Sequence, residues 1–430
     1  MSRFRSHGDP LTGPSPDSST AAVLRRQLPE SIPDPPDLQI VPGELERLAV
    51  READEWSASY KARTLAPEPN EVVEIKTYRL PTNGEAISRM ADRARAWAGI
   101  SDHPYVLPVI DWDTDPVPWI GLDCLSGGTL RRRIDRLTGS EMLWIALSVL
   151  RTLSSAHVRG VFHLALTPES IRFRESVTNA WDVPQVSDWD RAGLRTLDEE
   201  GPVPDARYAA PEEFDPETYG RPDQSTDIFR AGAVFYHLFT GQPPFRDPHE
   251  RPPDGGVEPM APSSIDLTLP PQFDRVILRA LHPDKGLRYE TIDDFRGSFE
   301  DFIEWYADAT VLEALRSPVS AASATSSGAM LSARESAVLR LVESMGGTTT
   351  PRELADRVGN AAETATTVRR FRNLQYRPEA KEVLDSLVKA GFLTRYQAGT
   401  LYYAVPGNRR GPTPQGEAAD PTRADGGSEG

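Results

Sequence analysis

Two acidic side chains two residues apart, Asp188 and Asp190 in Val186-Ser187-Asp188-Trp189-Asp190, stand out among the groups of this 430-residue chain that could do chemistry. Carboxylates at that spacing either hold a cation or form a polar turn, and the turn is the simpler reading. Lys76 closes the strand-like run Val72-Val73-Glu74-Ile75-Lys76, where a lone Lys is usually a solvated charge. A third group is basic and lies near the C-terminus: Arg369, Arg370, Arg372, Arg377, Lys381 and Arg395. Residues 331–406 carry 11 basic and 8 acidic side chains, net +3, against -16 for the whole chain. A segment that escapes the acidic excess suits a face meeting nucleic-acid phosphates.

The acidic pair does not stand alone in the sequence. It follows Val161-Phe162-His163-Leu164-Ala165-Leu166-Thr167-Pro168-Glu169-Ser170, which is itself preceded by an apolar helical stripe ending in His157-Val158-Arg159-Gly160. Downstream come Ala210-Pro211-Glu212, then Thr226-Asp227-Ile228 through Gly241-Gln242-Pro243-Pro244-Phe245, then His282-Pro283-Asp284-Lys285-Gly286-Leu287-Arg288. These segments, in this order and at this spacing, resemble the core of a eukaryotic-type protein kinase with its chemistry removed. In that family the loop HRDxKxxN supplies a base, a phosphate-neutralising Lys and a metal-binding Asn. Here the three places hold Ala165, Thr167 and Ser170.

The resemblance implies further roles. Lys76 falls where a kinase Lys meets the α and β phosphates, and Asp188 where a magnesium ligand stands. Trp189 and Asp190 replace the Phe and Gly that follow it. The phosphate loop should precede Lys76, with Glu52, Asp54 and Ser57 in the places of its glycines, and a carboxylate there repels phosphate. The helix at 86–98 puts Arg93 where the family pairs a Glu with the strand Lys, unless Asp92 substitutes from beside it. His163, Glu212, Asp227 and Arg288 take structural places. Arg131 to Arg133 form either a docking patch or a solvated helical face.

These motifs need elements to hold them. The fold expected is α+β: a disordered arm (1–42), a kinase-like small lobe (43–125), a large lobe (126–316) and a flexible linker (317–330). A small domain (331–406) and a disordered tail (407–430) complete the chain. In the small domain Thr350-Pro351-Arg352-Glu353 is a capping box with Pro at the first helical position. Three helices and a hairpin resemble a winged helix-turn-helix with an extra Arg-rich helix. That likeness implies that Arg377 and Lys381 reach the duplex, Arg395 lies on the wing, and Arg369, Arg370 and Arg372 add phosphate contacts.

Composition narrows the setting. Cys124 is the sole Cys, which excludes an internal disulfide and a multi-Cys metal site and favours a reducing cytoplasm; no metal centre is expected. No membrane span or signal peptide is expected. Of 48 basic residues 43 are Arg, at a pI near 5.0, which fits a salt-loving microbe or an Arg-favouring genome. The function expected is a pseudokinase-type regulator: a kinase-like scaffold that contacts a protein partner, linked to a winged helix on DNA. A second copy of the chain is a further candidate partner. No cofactor is required on this reading, and ATP and magnesium bind weakly if at all. One rival is an atypical active Ser/Thr kinase using Lys76 and Asp188, with Asp190 as a displaced base. The other is an adaptor with neither activity.

Overall fold

The computed structural model describes residues 18–29, 31–32, 38, 40, 42–53, 56–65, 71–79, 84–115, 117–176, 180–191, 205–245, 259–307, 309–316, 320–321, 338–339, 341–342, 345, 348–360, 380–381, 384–385, 387–388, 393–398 and 400–404. The chain divides into two units, Met1–Ser332 and Ala333–Gly430.

In the first unit, β2 (Leu45–Ala53), β3 (Ser57–Thr64), β4 (Val72–Tyr78), β5 (Val109–Asp113) and β6 (Trp119–Asp123) form an antiparallel sheet in the order β2-β3-β4-β6-β5. Helix α2 (Gly84–Gly99) packs on it through Met90, Ala94 and Trp97. Residues 124–129 lead to a larger lobe made of α3 (Leu130–Arg133), α4 (Gly139–Val158), the hairpin β7 (Ile171–Arg174) and β8 (Val183–Val186), α5 (Pro216–Tyr219), α6 (Gln224–Thr240), α7 (Pro262–Ile265), α8 (Pro271–Ala280), α9 (Ile292–Tyr306) and α10 (Ala309–Arg316).

Local sequence explains the central helices. Helix α4 is apolar on nearly every side, as a helix enclosed by others must be, and Thr138 caps it by accepting from Glu141 N at 3.3 Å. Helix α6 opens on Asp223, which accepts from Ser225 N at 2.8 Å, and closes on Gly241 at φ 81°. Phe235, Phe239, Phe273, Phe295 and Phe299 fill the space between α6, α8 and α9, with ring centroids 4.8 to 6.2 Å apart.

The N-terminal arm departs from expectation. Residues 18–27 form helix α1 (Ser18–Gln27), whose Ala21 and Leu24, with Leu28, are buried where it packs on α10. Strand β1 (Ser31–Ile32) pairs in parallel with β9 (Ser320–Ala321), inside the segment expected to be a linker. The Gln27 carbonyl accepts from Trp181 N at 2.6 Å, and Ile40 N donates to Asp111 Oδ2 at 3.0 Å. Gly121 is required here, because a Cβ would lie 2.2 Å from Ile40 Cδ1.

The second unit contains the three-stranded sheet β10 (Thr348–Thr349), β12 (Thr400–Ala404), β11 (Thr394–Ala398), in the order β10-β12-β11, and helix α11 (Pro351–Asn360). The expected capping box is present: Thr350 N donates to Glu353 Oε2 at 2.9 Å and Glu353 N to Thr350 Oγ1 at 3.1 Å. Short helical stretches at 380–381, 384–385 and 387–388 supply buried Ala380, Leu384 and Leu387.

Candidate functional site

Alternation along β4 organises the site. A strand sends every second side chain to one face, so Glu74, Lys76 and Tyr78 share the face of the sheet turned toward the larger lobe. Each finds a polar partner across the cleft. Glu74 accepts from Arg172 of β7 at 2.6 and 3.1 Å. Lys76 Nζ donates to Asp188 Oδ1 at 2.8 Å and also contacts Asp190, with Oδ2 at 2.8 Å. Tyr78 Oη donates to Asp190 Oδ2 at 2.9 Å. A further rung joins Arg174 to Asp123 at 2.6 Å.

Burial makes these charges answer to one another. Burial alone would pull the Lys76 ammonium down, but Asp188 and Asp190 outweigh it and hold its pKa above the ordinary value. Burial would push the Asp188 carboxyl up, yet Lys76 and then Arg191 hold it well below the usual range. Burial, reinforced by Asp190, drives the Tyr78 phenol well above its ordinary value.

The loop in the catalytic-loop place is tied into the structure. His163 is fully buried and its Nε2 donates to the Ser187 carbonyl at 2.8 Å. Asp227 accepts from His163 N at 2.8 Å and Leu164 N at 2.6 Å, and pairs with His157 Nε2 at 2.8 Å. These bonds hold Leu164 at φ 55°, and Asp188 sits at φ 65°, both in the left-handed region that L side chains avoid. Ala165 has no polar side-chain atom. Ser170 Oγ accepts from Thr167 N at 2.8 Å and donates to Thr167 O at 2.9 Å, so Thr167 and Ser170 close their own turn.

Other expected residues fall as follows. Glu212 and Arg288 form a bidentate pair at 2.8 Å, both side chains buried. Arg93 donates to the Phe162 carbonyl at 3.2 Å, and Asp92 is exposed and pairs with Arg95 at 3.5 Å, so neither reaches Lys76. Asp190 is 1% exposed, and its oxygens are held by Lys76 and Tyr78. Arg131 contacts Tyr208 and His237, Arg133 binds the Gly127 carbonyl and Asp182, and Arg132 between them is exposed. Glu52 is exposed on β2 and Ser57 buried on β3; Asp54 lies outside the described residues. Lys381 is exposed, and Arg395 pairs with Asp385 at 3.2 Å. Arg369, Arg370, Arg372 and Arg377 lie outside the described residues, as do most of the arm and tail.

Sequence reasoning missed Glu74, Arg172, Arg51 and Tyr78. Their signal was a charged residue at position 74 of an otherwise apolar strand, in phase with Lys76. Arg51 of β2 donates to Glu74 Oε2 and to the Leu125 carbonyl, each at 2.8 Å.

Comparison with known proteins places this geometry. Residues 61–269 match the protein kinase domain family model. The chain is 25% identical over 246 residues to the probable serine/threonine-protein kinase SCO3848 of Streptomyces coelicolor, covering 53% of this chain and 35% of that one. It is 26% identical over 261 residues to the serine/threonine-protein kinase pkn3 of Myxococcus xanthus, covering 56% and 46%. The crystal structure of the Mycobacterium tuberculosis PknI kinase domain is similar at 20% identity and a TM-score of 0.47, over 61% of this chain and 97% of that one. The family match at 61–269 agrees with the kinase-like part of the fold reading. The chain spans less than half the length of either curated relative.

A kinase domain implies ATP with Mg2+, which stands against the expectation that no cofactor is required. The residues here fit that group poorly. Lys76 and Asp188 are the right types, but the Lys76 ammonium lies between two carboxylates, and the base end of the cleft carries the charges of Glu74, Arg172 and Arg51. Among the described residues no set of three or more His, Cys, Asp or Glu side chains forms a metal site. No helix among them is long and apolar enough to cross a membrane.

Proposed function

We propose that the kinase domain works as a regulatory scaffold that does not transfer phosphate, and that residues 331–406 carry its output to DNA. One observation carries the first part: Ala165 stands where a hydroxyl substrate needs a base, and the nearby carboxylate, Asp190, is buried against Lys76 and Tyr78. Kinase catalysis is almost wholly positioning and charge stabilisation, so losing base, phosphate Lys and metal Asn together removes its means. What the domain retains, the buried anchors Asp227, Glu212 and Arg288, supports a rigid surface for a protein partner. The test is transfer of radiolabelled phosphate from ATP to the chain itself and to a generic Ser/Thr substrate. The expected result is no transfer above that of Lys76→Met.

The second reading is a Ser/Thr kinase, favoured by the names of the curated relatives and by the surviving Lys76–Asp188 pair. Transfer abolished by Asp188→Asn would establish it. The DNA reading is supported by the net +3 charge of 331–406 and by exposed Lys381 and Arg395. Its test is a titration against a promoter library at two salt concentrations. Arg369→Ala and Arg370→Ala should weaken binding evenly across sequences and mainly at low salt, while Lys381→Ala should also lower discrimination between sites. If no duplex is retained above random sequence at either concentration, the small domain is a protein-interaction module.

A further inference from the structure

We infer that the inner end of the cleft, between Glu74 and the connection at Cys124–Leu125, is occupied by the chain's own ion cluster, and that this cluster is what bars a nucleotide base. The place follows from strand geometry. A nucleotide whose phosphates met Lys76 and Asp188 would lay its base along β4 toward the lobe connection, and Glu74 is the next side chain on that face, about 7 Å from Lys76.

A flat heterocycle needs apolar walls above and below and free backbone groups at its edge. Here the wall on the sheet side is the Glu74 carboxylate, only 3% exposed, and the opposite wall is the Arg172 guanidinium. Arg51 adds a second guanidinium on Glu74, approaches Cys124 Sγ at 3.6 Å, and occupies the Leu125 carbonyl that a base edge would need. Inserting a ring would separate the Glu74–Arg172 pair, strip the buried Arg172 guanidinium of its carboxylate and leave Glu74 with Arg51 alone, a costly way to break a buried ion pair. The Arg172 backbone is fixed between β8 and the bridge from Thr129, so the strand itself does not move out of the cleft. The Arg174–Asp123 bridge closes the neighbouring position.

This inference concerns binding and stands apart from the loss of phosphate transfer, so each can fail alone. The experiment measures mant-ADP fluorescence and calorimetry with adenosine, with and without magnesium, on the full chain, on Glu74→Ala/Arg172→Leu and on Arg51→Ala. The expected result is no saturation of the unmodified chain by either probe up to about 1 mM. The double variant should gain mant-ADP binding at least about tenfold tighter, displaced by adenosine. Arg51→Ala should lie between. Saturable binding to the unmodified chain that the double variant does not tighten would overturn the inference. So would a folded double variant that still binds neither probe, because the cluster would then not be the barrier. If that variant does not fold, Glu74→Gln/Arg172→Met, which keeps the side-chain volumes, decides by the same criteria.

Discussion

Lys76 is shared by two carboxylates, and the response of the protein to pH follows from that cluster and a few neighbours. Asp188 and Asp227 are held below the ordinary Asp value, so the stability they give is complete above about pH 5 and is lost as acid protonates them. Lys76 and Tyr78 are shifted upward, so theirs is complete below about pH 10 and is lost in alkali. His103 is pulled from 6.5 down to about 4, first by burial. The unfolded chain therefore takes up a proton that the folded chain refuses, and the contribution of His103 is present above pH 6.5 and lost toward pH 4. It amounts to about 3 kcal/mol at most. His103→Gln should flatten the stability profile across that window. All eight Trp lie between residues 56 and 305, so denaturation followed by Trp fluorescence reports the first unit alone. A variant that kept the full slope would show that another group titrates there. Lys76→Met should cost about 3–5 kcal/mol by the same assay, because it removes the cation between Asp188 and Asp190 and leaves only the Arg191 guanidinium, 3.9 Å from Asp188.

Elements were legible where one stretch of sequence contained both the pattern and its cause. The apolar runs of α4 and β4 and the capping box at Thr350 are local signals, and each falls where the sequence placed it. Helix α1 was read as part of a disordered arm although Ala21, Leu24 and Leu28 recur at helical spacing. What gives that stripe its worth is α10, with buried Val311 and Leu315, nearly three hundred residues later. The ion cluster escaped for the same reason, since Glu74 and Arg172 are 98 residues apart and charge at a buried strand position has meaning only beside its partner. At this scale Leu24→Ala should destabilise the first unit by about 2–4 kcal/mol. A loss under about 0.5 kcal/mol, the range of an ordinary surface change, would mean that the arm contributes nothing.

Across the whole molecule the buried anchors of the larger lobe bear on folding. Arg288 joins Glu212 to the Ser225, His282 and Pro283 carbonyls, so Arg288→Ala should cost about 3–5 kcal/mol, while Arg288→Met with Glu212→Gln should recover part of it. A purely additive double variant would mean that the pair is not coupled. Trp189, meanwhile, is 1% exposed, packs against His163 with ring centroids 4.7 Å apart and donates to the Val186 carbonyl, while Asp190 beside it is held from β4. A segment fixed from both lobes has no cheap way to open by itself. Amide hydrogens of Ser187 and Arg191, which donate to Ser170 and Asp188 carbonyls, should then exchange with solvent only as fast as the first unit unfolds as a whole. The stretch would act as a clock for global unfolding, its exchange rate rising in step with denaturant.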